Sequence, residues 1–157
     1  MRHTQLTTGR TFGIALDEGE DFFEQLVAFC TEHGIRSGYL PMFLGGFRTV
    51  RLVGTCERIA DPNAPVWTAA EYQTVEALGS GTIAWDEEAG VVAPHVHVAV
   101  GLKGQAADGR TSHLLSAEVQ FIHELFLVEV VQPVMTRPRL GPHRVPTLHF
   151  APHAAAE

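Results

Sequence analysis

Cysteine is scarce. The 157 residues include two, Cys30 and Cys56, with no Cys-x-x-Cys spacing, so a disulfide framework is excluded and a reducing, cytoplasmic setting is expected. Charge is scarce too: Asp, Glu, Lys and Arg make up 18% of the chain, against about 25% in average soluble domains. So low a share points to surface buried against other subunits. Positive charge is the scarcer sign, leaving a net charge of −7, which disfavours nucleic acid and anionic membrane surfaces as partners. Long apolar runs are missing. The uncharged stretch from Ser37 to Phe47 is broken by Pro41, Gly45 and Gly46 and falls short of the roughly 20 residues that span a bilayer. Met1 to Arg10 is polar and lacks the apolar core of a signal peptide. No Gly-rich phosphate fingerprint follows the first strand-like segment, which argues against a dinucleotide-binding fold.

What is present suffices for one domain with a substantial core, since 45% of the residues are hydrophobic. Phe12 to Leu16 reads as a strand. Glu18-Gly19-Glu20-Asp21 opens a helix with acids where the helix dipole favours them. Phe22, Leu26, Phe29, Cys30 and His33 form its apolar stripe, and Gly34 ends it. His33 reads as a last-turn residue. Ser37 to Leu44 and Phe47 to Thr55 read as strands joined at a Gly45-Gly46 turn or bulge. Ile59 to Thr68 reads as a surface loop. Glu71 to Ala77 and Gly81 to Trp85 read as two further strands, and Asp86 to Gly90 as an acidic turn. Val91 to Leu102 is a strand, Lys103 to Arg110 a polar loop, and Ser112 to Val131 one or two strands with a bend. One helix among many strands with short connections predicts an α+β fold, a mostly antiparallel sheet with one main helix packed on it. The domain is expected over residues 10–131, with a Pro-rich tail over 132–157. That tail holds five of the nine prolines, and Pro133 to Ala156 contains no acid. It is expected to be extended, with Val145, Leu148 and Phe150 available to dock it.

Nine histidines stand out against this background, above all His95-Val96-His97 inside a strand, followed after one loop by His113. Side chains alternate along a strand, so His95 and His97 project from one face while Val96, Val98 and Val100 face the other. An isolated His-x-His reads first as a pair of hydrogen-bonded sheet histidines. A third imidazole from the next strand would complete a facial set for a divalent transition metal, with an open position left over. Three imidazoles suit zinc, the metal expected here, and equally nickel, iron or copper, among which the sequence does not choose. Neutral imidazoles are needed, so binding is expected to weaken below about pH 6.

The order of motifs resembles a known family. Gly19-Glu20-Asp21 opens the helix, then come a Gly-containing strand pair, Leu78-Gly79-Ser80-Gly81-Thr82-Ile83, His95-x-His97, His113-Leu114 and Ala117-Glu118-Val119. This succession, from Arg10 to Val131, resembles the plant-and-prokaryote-conserved (PPC) domain, in its stand-alone prokaryotic type. The resemblance implies a homotrimer and a divalent-metal site at His95, His97 and His113, close to a subunit boundary. Thr111-Ser112 stands where the family has Gly-Gly before the last histidine. The hexapeptide Gly-Arg-Phe-Glu-Ile-Leu, through which plant members bind partners, is absent.

The resulting expectation is a metal-binding domain that binds or acts on a small polar ligand, without membrane association. A metal-dependent hydrolase or lyase is one alternative. It needs proton-transfer or orienting groups, for which Glu76, Glu118, Tyr39, Tyr72 and Arg10 are weak candidates, each also explicable as an ordinary structural residue. His123 is expected to face away from Glu118, since their positions differ by an odd number. DNA binding or a transcription-associated role is the other alternative. An AT hook needs Arg-Gly-Arg-Pro in a narrow minor groove. Arg137-Pro138-Arg139 is the nearest stretch and lacks the glycine.

Overall fold

The computed structural model describes residues 1–54, 68–102, 104–141 and 144–151. The elements are β1 (Thr7–Asp17), α1 (Phe22–Glu32), β2 (Gly38–Gly54), β3 (Thr68–Asp86), β4 (Val91–Leu102), β5 (Gln105–Gln132) and four short strands, β6 (Met135–Thr136), β7 (Arg139–Leu140), β8 (Val145–Pro146) and β9 (His149–Phe150). The expected α+β architecture, mostly antiparallel with one helix, is what forms.

Asp21 sets the start of α1. Its carboxylate accepts from the backbone N–H groups of Phe23 and Glu24, each at 2.9 Å, and so satisfies two donors that a helix start leaves unpaired. Phe22, Leu26 and Cys30, spaced four apart, turn one buried stripe to the sheet. Past the helix end, Gly34 takes a φ of +66°. His33 is the C-cap, one place past the last turn expected for it, with Nδ1 3.0 Å from the Phe29 carbonyl and its ring stacked on that of Phe29.

The sheet closes into a barrel-like ring. β5 pairs with β2, β2 with β3, β3 with β4, and β4 back with β5, all antiparallel. β1 adds to the far half of β5, and α1 packs against β4 and β5. The core lies between helix and ring, with Phe22, Phe43, Phe47, Ile83, Val96 and Leu127 fully buried.

Strands expected to be separate are continuous. β2 runs through Gly45-Gly46, so this pair is a bulge site rather than a turn. The register against β5 jumps from Gly45 opposite His123 to Gly46 opposite Gln120, leaving Phe121 and Ile122 without a partner on β2, while Ile122 pairs with Asp17 of β1. A Cβ on Gly45 would lie 2.8 Å from the Cα of His123, so only glycine permits the approach. Likewise β3 passes unbroken through Ala77 to Gly81. The loop expected over Lys103 to Arg110 is shorter, because β5 already starts at Gln105, opposite Leu102. Most of the Ile59 to Thr68 segment, with Cys56, lies outside the described residues.

The tail folds back on the domain. Thr136 pairs with Trp85 in the one parallel contact among the described strands. The Met135 N–H donates to Ser37 Oγ at 2.8 Å, and the Arg137 N–H to the Trp85 carbonyl at 3.1 Å. Leu148 and Phe150 dock with Tyr39 against Ala84, Val130 and Met135, as expected of them. Val145 instead pairs with Leu140 in the β7–β8 hairpin.

Candidate metal centre

β4 alternates as its sequence requires. Val96, Val98 and Val100 are buried in the core. His95 and His97 stand on the outer face, opposite Thr82 and Ser80 of β3. On the other side of β4, His113 of β5 is the direct register partner of His97. Directly opposite residues share a face, so three imidazoles meet there. The ladder runs regularly from Gly109 to His113, so Thr111-Ser112 fits an extended backbone without needing the family's two glycines.

One ring nitrogen from each histidine lies within 4.8 Å of the others. Nε2 of His95 and Nε2 of His97 are 3.2 Å apart. Two nitrogens bound tetrahedrally at about 2.0–2.1 Å from one ion stand roughly 3.3 Å apart. The donor set therefore fits a divalent transition metal in type and in spacing. Among the described residues, no other group of His, Cys, Asp or Glu converges in this way. His95 and His113 are half-buried and His97 is exposed, so the cluster opens to solvent on the His97 side.

Electrostatics favour neutral rings. Burial, reinforced by Arg137, His113 and His97, pushes the His95 pKa down to about 4. Burial also lowers that of His113, with His97 and Arg137 contributing. Burial thus favours at His95 the neutral ring that a metal ligand needs.

Two structural devices hold the rings. Gly79 lies on the inner face of β3, where a Cβ would collide with the ring of Phe43 and sit 2.5 Å from the His97 carbonyl. Its missing side chain lets β3, β4 and Phe43 pack closely behind the site. On the outer face stands Arg137, 5% exposed. Its Nε donates to the Ala93 carbonyl at 3.3 Å, Nη2 donates to Thr82 Oγ1, and Nη1 is 3.4 Å from His95 Nδ1. Neither Arg137 nor Thr82 is among the site residues expected from the sequence. The available signal was a cation in a segment without a single acid.

The weaker candidates are dispersed. Arg10 forms a two-pronged ion pair with Glu129, at 2.8 Å from both Nε and Nη2, and donates to the His33 carbonyl. Glu118 pairs with Arg48 at 2.8 Å. Glu76 lies opposite Gly101, four residues along β4 from His97, or about 13 Å. Tyr39 is opposite Thr82, and Thr82 is opposite His95, so Tyr39 shares the outer face two strands away. Tyr72 packs against the main core. His123 is wholly buried among Phe22, Phe43 and Phe47, away from the cluster.

Comparison with known proteins agrees with this architecture. None of the curated proteins matches the chain. Among solved structures, a metal-containing protein from Archaeoglobus fulgidus superimposes with a TM-score of 0.79 at 22% identity, covering 95% of this chain and 99% of the other. A plant- and prokaryote-conserved (PPC) protein from Pyrococcus horikoshii gives 0.78 at 20% identity, covering 93% and 96%. A protein from Ralstonia eutropha, named as a candidate DNA-binding protein, gives 0.72 at 19% identity, covering 88% and 90%. The family model for the Plants and Prokaryotes Conserved (PCC) domain matches residues 3–131. With four-fifths of its length matched and the barrel-like fold shared, this chain belongs to the Plants and Prokaryotes Conserved domain family.

Proposed function

We propose that this protein binds one divalent transition metal, zinc foremost, through His95, His97 and His113, and presents it to a small polar ligand. The observation that carries the reading is the convergence of three half-buried or exposed imidazole nitrogens within 4.8 Å, from two adjacent strands in matched register. Three neutral protein ligands with an open side resemble exchangeable rather than closed structural sites. A bound ion would supply Lewis acidity toward a carbonyl or phosphoryl oxygen. The chain's own contribution is to fix the rings from behind through the Gly79 contact, to admit ligand past His97, and to place Thr82 and Arg137 beside His95.

DNA binding ranks below this. Arg137 is buried and Arg139 is bonded to Asp86 at 2.7 Å, so the nearest approach to an AT hook is spent on internal contacts. The net charge of −7 also opposes the long polyanionic backbone of DNA.

The proposal includes a cytoplasmic homotrimer. Self-association is supported by the low charge content and by large apolar side chains left outside, among them Phe121 at 69% and Leu78 at 57% exposure. None of the described helices is long and apolar enough to cross a membrane.

The test is elemental analysis of untagged protein after dialysis, with sedimentation equilibrium alongside. We expect about one ion per chain, loss of that ion in His97→Ala, and a trimer mass. Full metal occupancy in His97→Ala overturns the ligand assignment. A monomer mass overturns the trimer.

A further inference from the structure

Arg137 is the one buried arginine among the described residues, and no carboxylate pairs with it. Arg10, Arg48, Arg51, Arg139 and Arg144 each have a carboxylate within ion-pair distance. All five are substantially exposed at the side chain. Arg137 is 5% exposed, and its partners are a carbonyl, a hydroxyl and an imidazole. A guanidinium does not lose its proton in a protein, so it cannot escape burial by becoming neutral. Buried cations are otherwise found paired with anions.

The donor count around His95 sharpens the point. Nη1 of Arg137 can only donate, so its contact with His95 Nδ1 requires that nitrogen to be unprotonated. The proton of a neutral His95 then sits on Nε2, the nitrogen 3.2 Å from His97 Nε2. Ligation of a metal through that Nε2 moves the proton to Nδ1. Two donors would then face each other, and Nη1 would lose its acceptor. The metal also brings its own positive charge beside a guanidinium that has no carboxylate among the described residues. Metal-ligating histidines commonly direct the second nitrogen at a carboxylate or carbonyl; here a cation stands in that place.

An anion resolves both difficulties. Resting on the metal-site reading above, we infer that the small polar ligand is an oxyanion, a carboxylate or phosphate group held jointly by the metal and by Arg137. One oxygen takes the open metal position, and another accepts from the guanidinium N–H groups released from His95. Guanidinium forks match both kinds of oxyanion. Arg137 is thereby a ligand-positioning residue. It reaches the site because β6 pairs with β3 at Trp85 and Thr136 and delivers the next residue onto the outer face.

The experiment uses the full-length untagged protein loaded with cobalt(II), whose visible bands report changes at the metal. Inorganic phosphate and acetate are titrated separately at constant ionic strength kept with perchlorate. We expect saturable band shifts with at least one of them, and the tighter of the two identifies the class. In Arg137→Gln, one cobalt per chain should still bind, while the anion midpoint moves up by at least about tenfold. Arg137→Lys, which keeps the charge but loses the fork, should fall between. Cobalt uptake without any anion response in the wild type overturns this inference and leaves the metal site standing. So does an unchanged midpoint in a folded Arg137→Gln. Failure of the wild type to bind cobalt overturns the metal reading itself.

Discussion

His123 lies face to face with Phe47, their ring centroids 4.3 Å apart and their planes 13° from parallel. Phe22 and Phe43 enclose the imidazole, and neither of its nitrogens finds a partner at hydrogen-bond geometry. Burial pushes its pKa down to about 4, against a smaller opposing contribution from the Gly46 backbone. The folded protein therefore keeps this ring neutral over a range where the unfolded chain, with a value near 6.5, takes up a proton. The stability tied to the neutral ring is complete above about pH 6.5 and is lost as pH falls toward 4. His123→Leu removes the buried polar atoms at similar volume. We expect its unfolding free energy at pH 8 to stay within about 1 kcal/mol of wild type. Its decline between pH 6.5 and 4 should be shallower. Urea unfolding at pH 8, 6 and 5 checks this, and parallel pH slopes for the two proteins would rule out His123 as the source.

Asp86 ends β3 and serves two partners at once. Its Oδ1 accepts from the N–H groups of Glu88 and Ala89, each at 3.0 Å, and its Oδ2 from Arg139 at 2.7 Å. The Ala89 hydrogen bond leads the effects that lower its pKa, and burial partly opposes them. Asp86→Ala unpairs a turn and a tail anchor together. The expected loss is about 1–3 kcal/mol by chemical denaturation. Faster proteolytic cleavage after Arg139 is expected as well, since the freed tail spends more time open. A variant as stable as wild type would show that the tail holds without this anchor.

Gly79 and Ser80 offer a matched pair of substitutions on adjacent residues. A Cβ at Gly79 meets the Phe43 ring and the His97 carbonyl. Gly79→Ala should cost about 1–3 kcal/mol through overpacking. Ser80 is exposed on the opposite face, and Ser80→Ala should change stability by less than about 0.5 kcal/mol. Calorimetry on both variants is sufficient. Equal effects would mean that close packing behind the site is not what Gly79 provides.

Metal should stabilise the fold by mass action. With free zinc at 100 times its dissociation constant, the native state gains about 2.7 kcal/mol, read as a rise in melting temperature that a chelator reverses. His113→Ala should melt at the same temperature with and without zinc. A zinc-dependent rise that survives in His113→Ala would place the ion elsewhere.

Local features were legible in the sequence to the extent that their causes are local. The helix start near Asp21 follows from acids set where the helix dipole favours them, and the facing of His95 and His97 from the two-residue period of a strand. The continuity of β2 and β3 was not legible. Gly45-Gly46 and Gly79-Ser80-Gly81 look like breaks when only neighbours in sequence count. In the fold those glycines are points where the chain is approached by His123, Phe43 and Val96.

The same division applies to the site. From the order of residues alone come the paired histidines, the valines behind them and the acid-free tail. The placing of His113 beside His97, and of Arg137 beside His95, was settled only by the assembled sheet. Register between β4 and β5, and the parallel contact of β6 with β3, depend on pairing across residues far apart in the chain. Those choices are made by burial of the whole core face at once, and no short window of sequence contains that sum.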